Sequence, residues 1–439
     1  MMRSLWSGVS GLKTHQMEMD VIGNNIANVN TTSYKSQATG FQDVLYQTVK
    51  QGTAAGANLG STNISQVGLG AKVGSVYTNI SAQGSAVTTN NVFDLMINGP
   101  SFFVVEQDGV NNYSRDGSFT IDAEGYLVTQ NDGYYIKGVD GGDVGNAAPD
   151  RLQVIKRTLV DADGDGTMDN VDYRRGTATS QAYFKGNIDS LDESIEEEGK
   201  TLGIEVFGND GNTYTLKFVI DNAGDTEDNT YNMSLSRILN SDGERVNFGG
   251  VDDIELTYGK NDGKLTSDGL VTISPTGDGS VIGPITIDLT NTTNYASTMS
   301  GHSSTIYGYK GDTKGLNQGY ANGTLTGISF GNDGSIYGTY SNGETIKKGQ
   351  IAVAEFSNAM GLEKVGNNLY AASLNSGAPM IQDITRNGGS MQSGVLEGSN
   401  VDLGKEFTDM ITTQRGFQAN SRVITTSDEM LQILRGLKR

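Results

Sequence analysis

The chain has 439 residues and a formal net charge of −20, from 31 Lys and Arg against 51 Asp and Glu. It has two His and no Cys, and the absence of Cys excludes disulfides, thiol catalysis and cysteine-based metal sites. The acidic balance argues against nucleic-acid binding, because phosphates require clustered Lys and Arg. No run of about 18 apolar residues is available for a membrane span. Because neither His15 nor His302 lies in a catalytic motif, we expect a protein that is not an enzyme.

An amphipathic helix is predicted from Ser4 to about Ala27, with Ser4 or Ser7 as its N-cap. Apolar residues recur in it every seven positions, the period that keeps a seam between packed helices. Only one face is apolar, so this helix requires a packing partner. The Asn- and Gly-rich run at residues 23–31 predicts its end, because both residue types leave helical geometry easily.

Residues 31–70 lose this periodicity and contain Gly-rich runs, which predicts an extended connector. Phe41, Val44, Leu45 and Val49 have a spacing that allows one short docked helix within it. A flexible tether is the alternative.

Residues 71–145 change to a period of two, which is typical of strands. An acidic residue followed by Gly recurs every eight positions, and such turn pairs indicate consecutive antiparallel hairpins. The pairs are Asp108-Gly109, Asp116-Gly117, Glu124-Gly125 and Asp132-Gly133. Residues 320–375 again contain short strand-like runs separated by turns, so this segment and residues 71–145 are predicted to form one inner β domain.

Residues 146–319 are predicted to be an outer β domain inserted into the inner one. Alternating runs at 202–207, 213–220, 254–258 and 285–289 predict strands separated by Asp-Gly turns. The acidity of the chain is concentrated here, since residues 140–319 carry 14 Lys and Arg against 30 Asp and Glu. Such a surface favours solubility over self-association.

One segment of this insertion has the pattern of a calcium-binding loop. Residues 161–172 place Asp at positions one, three, five and nine, with Gly166 at the sharp turn. Position twelve is Asp rather than Glu, and the preceding residues are strand-like rather than helical. A calcium site and a plain acidic loop between strands both stay open, and no other cofactor is expected. The candidate ligands are Asp161, Asp163, Asp165, Asp169 and Asp172.

Residues 376–400 are rich in Gly, Ser and Asn and are predicted to be a second connector. Residues 401–439 repeat apolar side chains every seven positions, so we predict that they pack on residues 1–30 and on copies in neighbouring subunits. The predicted seam comprises Leu5, Val9, Leu12, Met19, Ile26, Leu403, Phe407, Met410, Phe417, Ile424 and Leu431. The fold class is therefore α+β and mainly β, with terminal helices forming a coiled-coil-like core domain and two nested antiparallel β domains.

Both ends resemble the signatures of the bacterial flagellar rod and hook proteins. Residues 19–31 read MDVIGNNIANVNT and precede Tyr34-Lys35, while residues 397–403 read EGSNVDL and residues 413–421 read TQRGFQANS. YSNG at 340–343 and GNNLY at 366–370 are similar to β-domain segments of hook proteins. Ser33 stands where the family has Gly before the Tyr-Lys pair. The signature residues are Asn24, Asn25, Asn28, Asn30, Gln414, Arg415 and Asn420.

This resemblance implies a structural subunit of the hook, a flexible curved tube that transmits torque from rod to filament as a universal joint. It further implies that the terminal helices surround the export channel of a homopolymer. The implied location is the extracellular hook, reached through the flagellar type III export apparatus without a cleaved signal peptide. Besides other copies of itself, the implied partners are the distal rod protein, the hook cap and the hook–filament junction protein. Neither nucleic acid nor membrane insertion is implied.

Two other functions stay open. A distal rod subunit would share the terminal signatures and the inner β domain, although rod proteins lack an insertion of this size. A secreted β-rich adhesin or surface enzyme would be a folded monomer with a ligand or substrate, whereas a hook subunit would polymerise through its ends.

Overall fold

The computed structural model describes residues 2–54, 60–145, 148–161, 167–197, 199–223, 229–296 and 302–436. The chain forms two compact units: unit 1 comprises residues 1–155, 328–337 and 347–439, and unit 2 comprises residues 156–327 and 338–346. The insertion predicted at 146–319 thus differs from unit 2 at both ends. Composition marks the acidic region, but it does not show that residues 150–151 pair with a strand of unit 1.

The first part of unit 1 is a long helix followed by twelve strands. Helix α1 spans Met2–Ala27, so Ser4 and Ser7 lie inside it and neither is the predicted N-cap, whereas its predicted end is confirmed. The strands are β1 (Gln37–Asp43), β2 (Tyr46–Lys50), β3 (Ser65–Gly68), β4 (Ala71–Thr78), β5 (Ala86–Thr88), β6 (Leu95–Asn98), β7 (Phe102–Gln107), β8 (Val110–Ser114), β9 (Phe119–Ile121), β10 (Leu127–Thr129), β11 (Tyr135–Asp140) and β12 (Asp150–Arg151).

The middle of the chain is almost entirely β. Its elements are β13 (Thr158–Val160), β14 (Asp169–Val171), β15 (Tyr173–Arg174), β16 (Gln181–Ile188), the short helix α2 (Glu193–Glu197), β17 (Lys200–Phe207), β18 (Thr213–Asn222), β19 (Thr230–Leu239), β20 (Arg245–Val246), β21 (Ile254–Thr257), β22 (Leu270–Ile273), a 3-10 helix (Gly277–Ile282), β23 (Ile285–Asn294) and β24 (Tyr307–Lys310). The strands expected from alternating hydrophobicity are all present.

The last part begins with three strands that each have residues in both units, then continues in unit 1 and ends in a second long helix. Its elements are β25 (Gly323–Phe330), β26 (Ser335–Tyr340), β27 (Thr345–Ile351), β28 (Val353–Glu355), a 3-10 helix (Ala359–Gly361), β29 (Glu363–Gly366), β30 (Leu369–Ala371), β31 (Met380–Gln382), a 3-10 helix (Ile384–Asn387), β32 (Ser390–Ser393), β33 (Val395–Glu397) and α3 (Leu403–Gly436). The helix predicted over 401–439 therefore begins at Leu403.

Strand β7 lies at the centre of unit 1 and pairs antiparallel with β8, β11 and β28. Successive side chains of a strand point to opposite faces. Phe103 and Val105 accordingly enter one buried cluster, while Phe102 and Val104 enter another. This strand is thus covered on both faces, which explains its continuous apolar sequence.

Three of the four predicted turns of the inner domain are confirmed, at residues 108–109, 124–125 and 132–133. The fourth prediction is wrong, because β8 pairs with β7 and β30 but not with β9. Gly117 there allows a close backbone approach instead: a Cβ at this position would lie 1.7 Å from the carbonyl oxygen of Leu95.

The prediction of a short helix in the first connector is wrong. Phe41 lies in β1 and Val49 in β2; β1 pairs with β4, and β2 pairs with β3. The second connector is also more ordered than predicted, since β31, β32 and β33 pair with β28, β6 and β5. In both segments pairing with distant strands overrides local composition, and a sequence pattern does not specify that pairing.

Unit 2 has its own core between two sheets, one with the order β22-β23-β16-β24 and the other built on β17, β18, β19 and β20. Alternate residues of β18 are buried, as its sequence predicts. The core includes Phe184, Phe218, Ile238, Leu256 and Ile287. Among the described strand pairs of unit 2 the predicted antiparallel arrangement holds with one exception, because β16 and β23 pair in parallel. Alternating hydrophobicity shows which face is buried but not the direction of a neighbouring strand.

Candidate assembly site

Helices α1 and α3 pack against each other in antiparallel orientation. Positions rise along α1 as their partners fall along α3. The contacts join Ser4 with Ser427 (Oγ–Oγ 3.5 Å), Gly8 with Ile424, Gly11 with Asn420, Gly416 with His15, and Asn25 with Glu406 (Nδ2–Oε1 3.1 Å). The two ends of the chain therefore form one helical pair, here called the α1–α3 pair.

Glycines set the close approach in this pair. A Cβ on Gly11 would lie 2.5 Å from Nδ2 of Asn420, and a Cβ on Gly416 would lie 2.7 Å from Nε2 of His15. Both distances are shorter than van der Waals contact, so a side chain at either position would displace its partner. Residues without side chains let two helices approach more closely than Leu or Ile would allow.

The buried positions of α3 are polar: Glu406, Thr413 and Ser427. They are separated by seven and fourteen residues, so the seven-residue period is present in the α1–α3 pair. The side chains that follow it, however, are small or polar, and the predicted apolar residues lie beside them. Four of the five α1 contacts, all except His15, lie one residue before a predicted position.

In the structure, the residues of the predicted seam are half-buried or exposed, and none of them is fully buried. The half-buried members are Leu5, Val9, Leu12, Met19, Ile26, Met410, Phe417 and Ile424, and the exposed members are Leu403, Phe407 and Leu431. Among these half-buried residues, Ile424 contacts Gly8 of α1. Their packing on neighbouring copies stays a prediction.

Asn25 connects three elements from a buried position, where 1% of its surface is exposed. Its Nδ2 donates to the carbonyl oxygen of Gln37 (2.8 Å) and to Glu406, and its Oδ1 accepts from the Gln37 N–H (2.9 Å). The Tyr34 hydroxyl donates to the same Oδ1 (3.3 Å). Burial raises the pKa of Glu406 and that of Tyr34. This signature residue therefore fixes the exit of α1 against α3 and β1.

The other signature residues have different environments. Asn28 donates through Nδ2 to the carbonyl oxygen and to Oδ1 of Asn24, both at 2.9 Å, and thereby caps the end of α1. Asn420 lies in the α1–α3 pair against Gly11. Asn30, Gln414 and Arg415 are exposed, so the folding of a single chain does not explain their presence.

Ser33 has a φ of 56°, in the left-handed region that favours glycine. Its Oγ donates to the carbonyl oxygen of Arg115 (2.8 Å), and its N–H donates to that of Glu397 (2.7 Å). These buried hydrogen bonds offset the cost of the backbone conformation. The structure thus explains both the family preference for Gly here and how this chain accommodates Ser.

A buried ion pair beside Ser33 joins two segments of unit 1 that are distant in sequence, and no sequence pattern predicts it. Lys35 Nζ lies 2.6 Å from Glu397 Oε1, with 1% and 0% of the side chains exposed. Lys35 also donates to the carbonyl oxygen of Ala82 (2.7 Å), and Glu397 accepts from the Gly84 N–H (2.9 Å). The only available signal is that both charged residues lie within the terminal motifs.

The calcium candidate lies partly outside the described residues, because Asp163 and Asp165 belong to the segment 162–166. The described part shows that it connects β13 and β14, which form an antiparallel hairpin rather than a helix pair. Asp172, at position twelve, accepts hydrogen bonds from the Lys156 N–H and the Tyr340 hydroxyl, each at 3.0 Å. Within the described ranges, no group of three His, Asp or Glu side chains is arranged to hold a metal ion.

No described helix combines the length and the hydrophobicity that crossing a membrane requires.

Three family models match the chain. Residues 5–35 match the flagella basal body rod protein, residues 96–171 match the flagellar hook protein FlgE/F/G D1 domain, and residues 392–437 match the C-terminal region of the flagellar basal body rod FlgEFG proteins. The two terminal matches cover all of α3 and α1 from residue 5 onward, and the middle match contains β7, β8 and β11.

Relatives match over the whole chain. The flagellar hook protein FlgE of Borreliella burgdorferi is 33% identical, and that of Treponema pallidum is 34% identical, each over 100% of both chains. The flagellar basal-body rod protein FlgG of Bacillus subtilis is 28% identical over the same coverage. A crystal structure of Helicobacter pylori FlgE2 covers 71% of this chain and 100% of its own at 13% identity and a TM-score of 0.44, and the assignment does not rest on it. The terminal helical pair, the central β unit and the full-length identities together show that the chain belongs to the FlgE family of flagellar hook proteins.

Proposed function

We propose that the chain is a structural subunit of the bacterial flagellar hook, which polymerises into a flexible, hollow, curved tube and transmits torque from rod to filament. Full-length identity to hook proteins supports this function over that of a distal rod subunit, since the rod relative is less similar. A surface adhesin has no relative in support among these matches. The family is one of structural flagellar proteins.

The observation that carries the proposal is the apolar surface that the α1–α3 pair leaves exposed. Large apolar side chains of both helices remain exposed in the single chain. They include Trp6, Met17, Phe407, Ile411, Met430, Ile433 and Leu434. Two neighbouring helices with such surfaces favour association with further copies, which would remove this area from water.

The outward side of α3 has a definite direction. Successive residues of an α-helix turn by about 100°, so Phe407, Ile411 and Ile433 share one face, roughly opposite the buried Thr413 and Ser427. We call these three residues the outer face of α3. A face turned away from α1 supports contact with another subunit rather than a stronger intramolecular pair.

The proposed place of the protein is the extracellular hook, between the distal rod protein and the hook–filament junction protein, with a hook cap during growth. Export through the flagellar type III apparatus without a cleaved signal peptide is part of the same proposal. The terminal helices would then surround the channel through which later subunits pass.

Electron microscopy of the purified chain tests the proposed function. We expect the full-length protein to form hollow tubes as its concentration rises, and a variant ending at Asp402, which lacks α3, to form none. The β units of the truncated variant should keep their melting transition, because their cores lie outside α3. Tubes from the truncated chain, or a full-length chain that stays monomeric at every concentration, would contradict the proposal.

Calcium binding at residues 161–172 remains a separate proposal, supported by the spacing of the aspartates. Asp172 would have to exchange its hydrogen bonds to Lys156 and Tyr340 for the ion. Titration calorimetry with calcium measures this directly, and the absence of heat at millimolar calcium would reject it.

A further inference from the structure

Unit 1 contains a cavity of about 310 Å³ that borders the buried ion pair of Lys35. Its lining combines apolar side chains, among them Phe102 and Ile80, with the polar side chain of Gln83. Two cationic residues, Lys35 and Arg115, also line it. The cavity is large enough for a small organic acid or for the end of an acidic side chain.

The charge of Lys35 is already balanced. Its ammonium is paired with Glu397 Oε1, and both side chains are almost completely buried. Glu397 Oε2 has no hydrogen-bond partner among the described residues, so this carboxylate is held from one side only. The pair contributes no net charge to the cavity.

Arg115 is the unbalanced group. Only 4% of its surface is exposed, and its Nε and Nη1 have no hydrogen-bond partner within the described part of the chain. Its guanidinium lies 4.7 Å from the centre of the Phe102 ring, a cation–π contact that positions the charge without satisfying its N–H groups. Burial lowers the pKa of Arg115, and the charge of Glu397 opposes that effect.

A buried guanidinium that lacks hydrogen-bond acceptors is costly, and it stays protonated in proteins. With Lys35 and Glu397 neutral as a pair, the cavity carries an excess of one positive charge. A carboxylate would supply both of the missing features: its oxygens would accept hydrogen bonds from Arg115, and its single negative charge would balance the excess positive charge. Its chemistry is also abundant in this system, because each chain carries 51 Asp and Glu.

We infer that this cavity is a binding site for one carboxylate group, which accepts hydrogen bonds from the unpartnered N–H groups of Arg115. The carboxylate is either a free small acid or the side chain of an Asp or Glu from a neighbouring copy of the chain. The second source rests on the proposed polymer, and the first does not.

Acetate is the probe for the dilute, monomeric full-length protein. We expect sodium acetate, compared with sodium chloride at equal ionic strength, to raise the melting temperature of unit 1 in a saturable manner. Arg115→Met should weaken acetate binding by about tenfold or more, the usual effect of losing a charge-assisted hydrogen bond. Arg386→Met is the matched control, because Arg386 is exposed in unit 1, and it should bind acetate as the wild type does.

The stability of Arg115→Met without acetate separates a binding role from a structural role. If Arg115 awaits a ligand, its replacement by an apolar side chain should leave the melting temperature unchanged or raised. A large decrease, together with an unaltered response to acetate, would overturn the inference. Should the variant not fold, the Nε–H resonance of Arg115 in the wild-type protein decides the matter, because acetate must shift it in a saturable way.

Assembled tubes distinguish the two sources. If a neighbouring copy supplies the carboxylate, acetate should no longer shift the Arg115 resonance in tubes, and acetate should compete with assembly. If a free acid is the ligand, acetate should bind tubes and monomers alike. Failure of acetate to bind the monomer rejects the carboxylate site while tube formation by the wild type still supports the proposed function, so the two failures are distinguishable.

Discussion

At the scale of single residues, the terminal motifs act as structural nodes of one chain. Asn25 joins α1, α3 and β1, and Lys35 with Glu397 joins two segments that are distant in sequence. The motif sequence indicates that these positions matter, but it does not indicate a buried ion pair. Charged side chains are seldom buried, so a reading by hydrophobicity places Lys35 and Glu397 on the surface. Only the fold supplies the partner that makes their burial possible.

Glu106 gives a residue-scale prediction about acid stability. Arg151 donates through Nε and Nη2 to its Oε1 (3.1 and 2.6 Å), and Lys137 Nζ lies 2.5 Å from its Oε2. These contacts lower the pKa of Glu106 from 4.5 to about 2. The pKa of Glu106 is lower in the folded than in the unfolded protein, so its ion pairs with Arg151 and Lys137 stabilise the fold at pH values above the unfolded-state pKa. This stabilisation is lost as the pH falls from about 4.5 to about 2.

Glu106→Gln should therefore reduce the free energy of unfolding of unit 1 at pH 7 by about 1–2 kcal/mol. It should also make stability less dependent on pH between about 2 and 4.5. Urea unfolding at a series of pH values measures both effects, with Glu363→Gln as the control at an exposed carboxylate. If the free energy of unfolding of the variant falls with decreasing pH as steeply as that of the wild type, Glu106 is not the source of this pH dependence.

At the scale of elements, sequence periodicity predicts which helices and strands form, whereas contacts with other elements determine where each of them packs. The end of α1 and the strands of unit 2 follow from their local patterns. The seven-residue repeat predicts that the terminal helices pack, yet the contacts between them include Gly8, Gly11 and polar residues such as Asn25, and Ile424 represents the apolar repeat among them. A hydrophobic repeat identifies a face that must be buried, but it does not say whether the same chain or another copy buries it.

Gly11→Leu should prevent the close approach of α1 and α3, because a side chain there overlaps Asn420. We expect lower helicity of the ends and loss of tube formation, measured by circular dichroism and by the fraction of protein that sediments. Gly23→Leu is the matched control, since a Cβ at Gly23 meets nothing within 4 Å. That variant should gain up to about 1 kcal/mol of helix stability. Equal tube yields from both variants would rule out the glycine contact as a requirement.

At the scale of the whole molecule, the chain keeps its assembly elements and its inserted β region in separate cores. The buried cluster of unit 2 runs from Ala182 to Ile306. Thr177 and Tyr320, which flank it, exchange backbone hydrogen bonds of 2.9 Å in both directions. The chain can therefore be closed at this point with a short linker without removing a unit 1 strand.

Replacing residues 178–319 with a short Gly-Ser linker should leave the melting temperature of unit 1 nearly unchanged and allow tubes to form. Because weak polar contacts between outer domains would slide and re-form as a curved tube rotates, we expect altered curvature or stiffness. Persistence lengths measured from electron micrographs check this. Tubes that bend like those of the wild type would reject a mechanical role for the inserted region.

The central claim is that burial of the outward apolar side chains of the α1–α3 pair drives assembly, and the critical concentration for tube formation tests it most directly. Ile411→Ser/Ile433→Ser alters the outer face of α3 without touching α1, and Thr412→Ser/Thr426→Ser changes exposed polar positions of the same helix. Since burying one Ile side chain stabilises by about 1.5–3 kcal/mol, the isoleucine variant should raise the critical concentration by at least about tenfold. The threonine variant should match the wild type. A critical concentration that is the same for all three proteins would contradict the account.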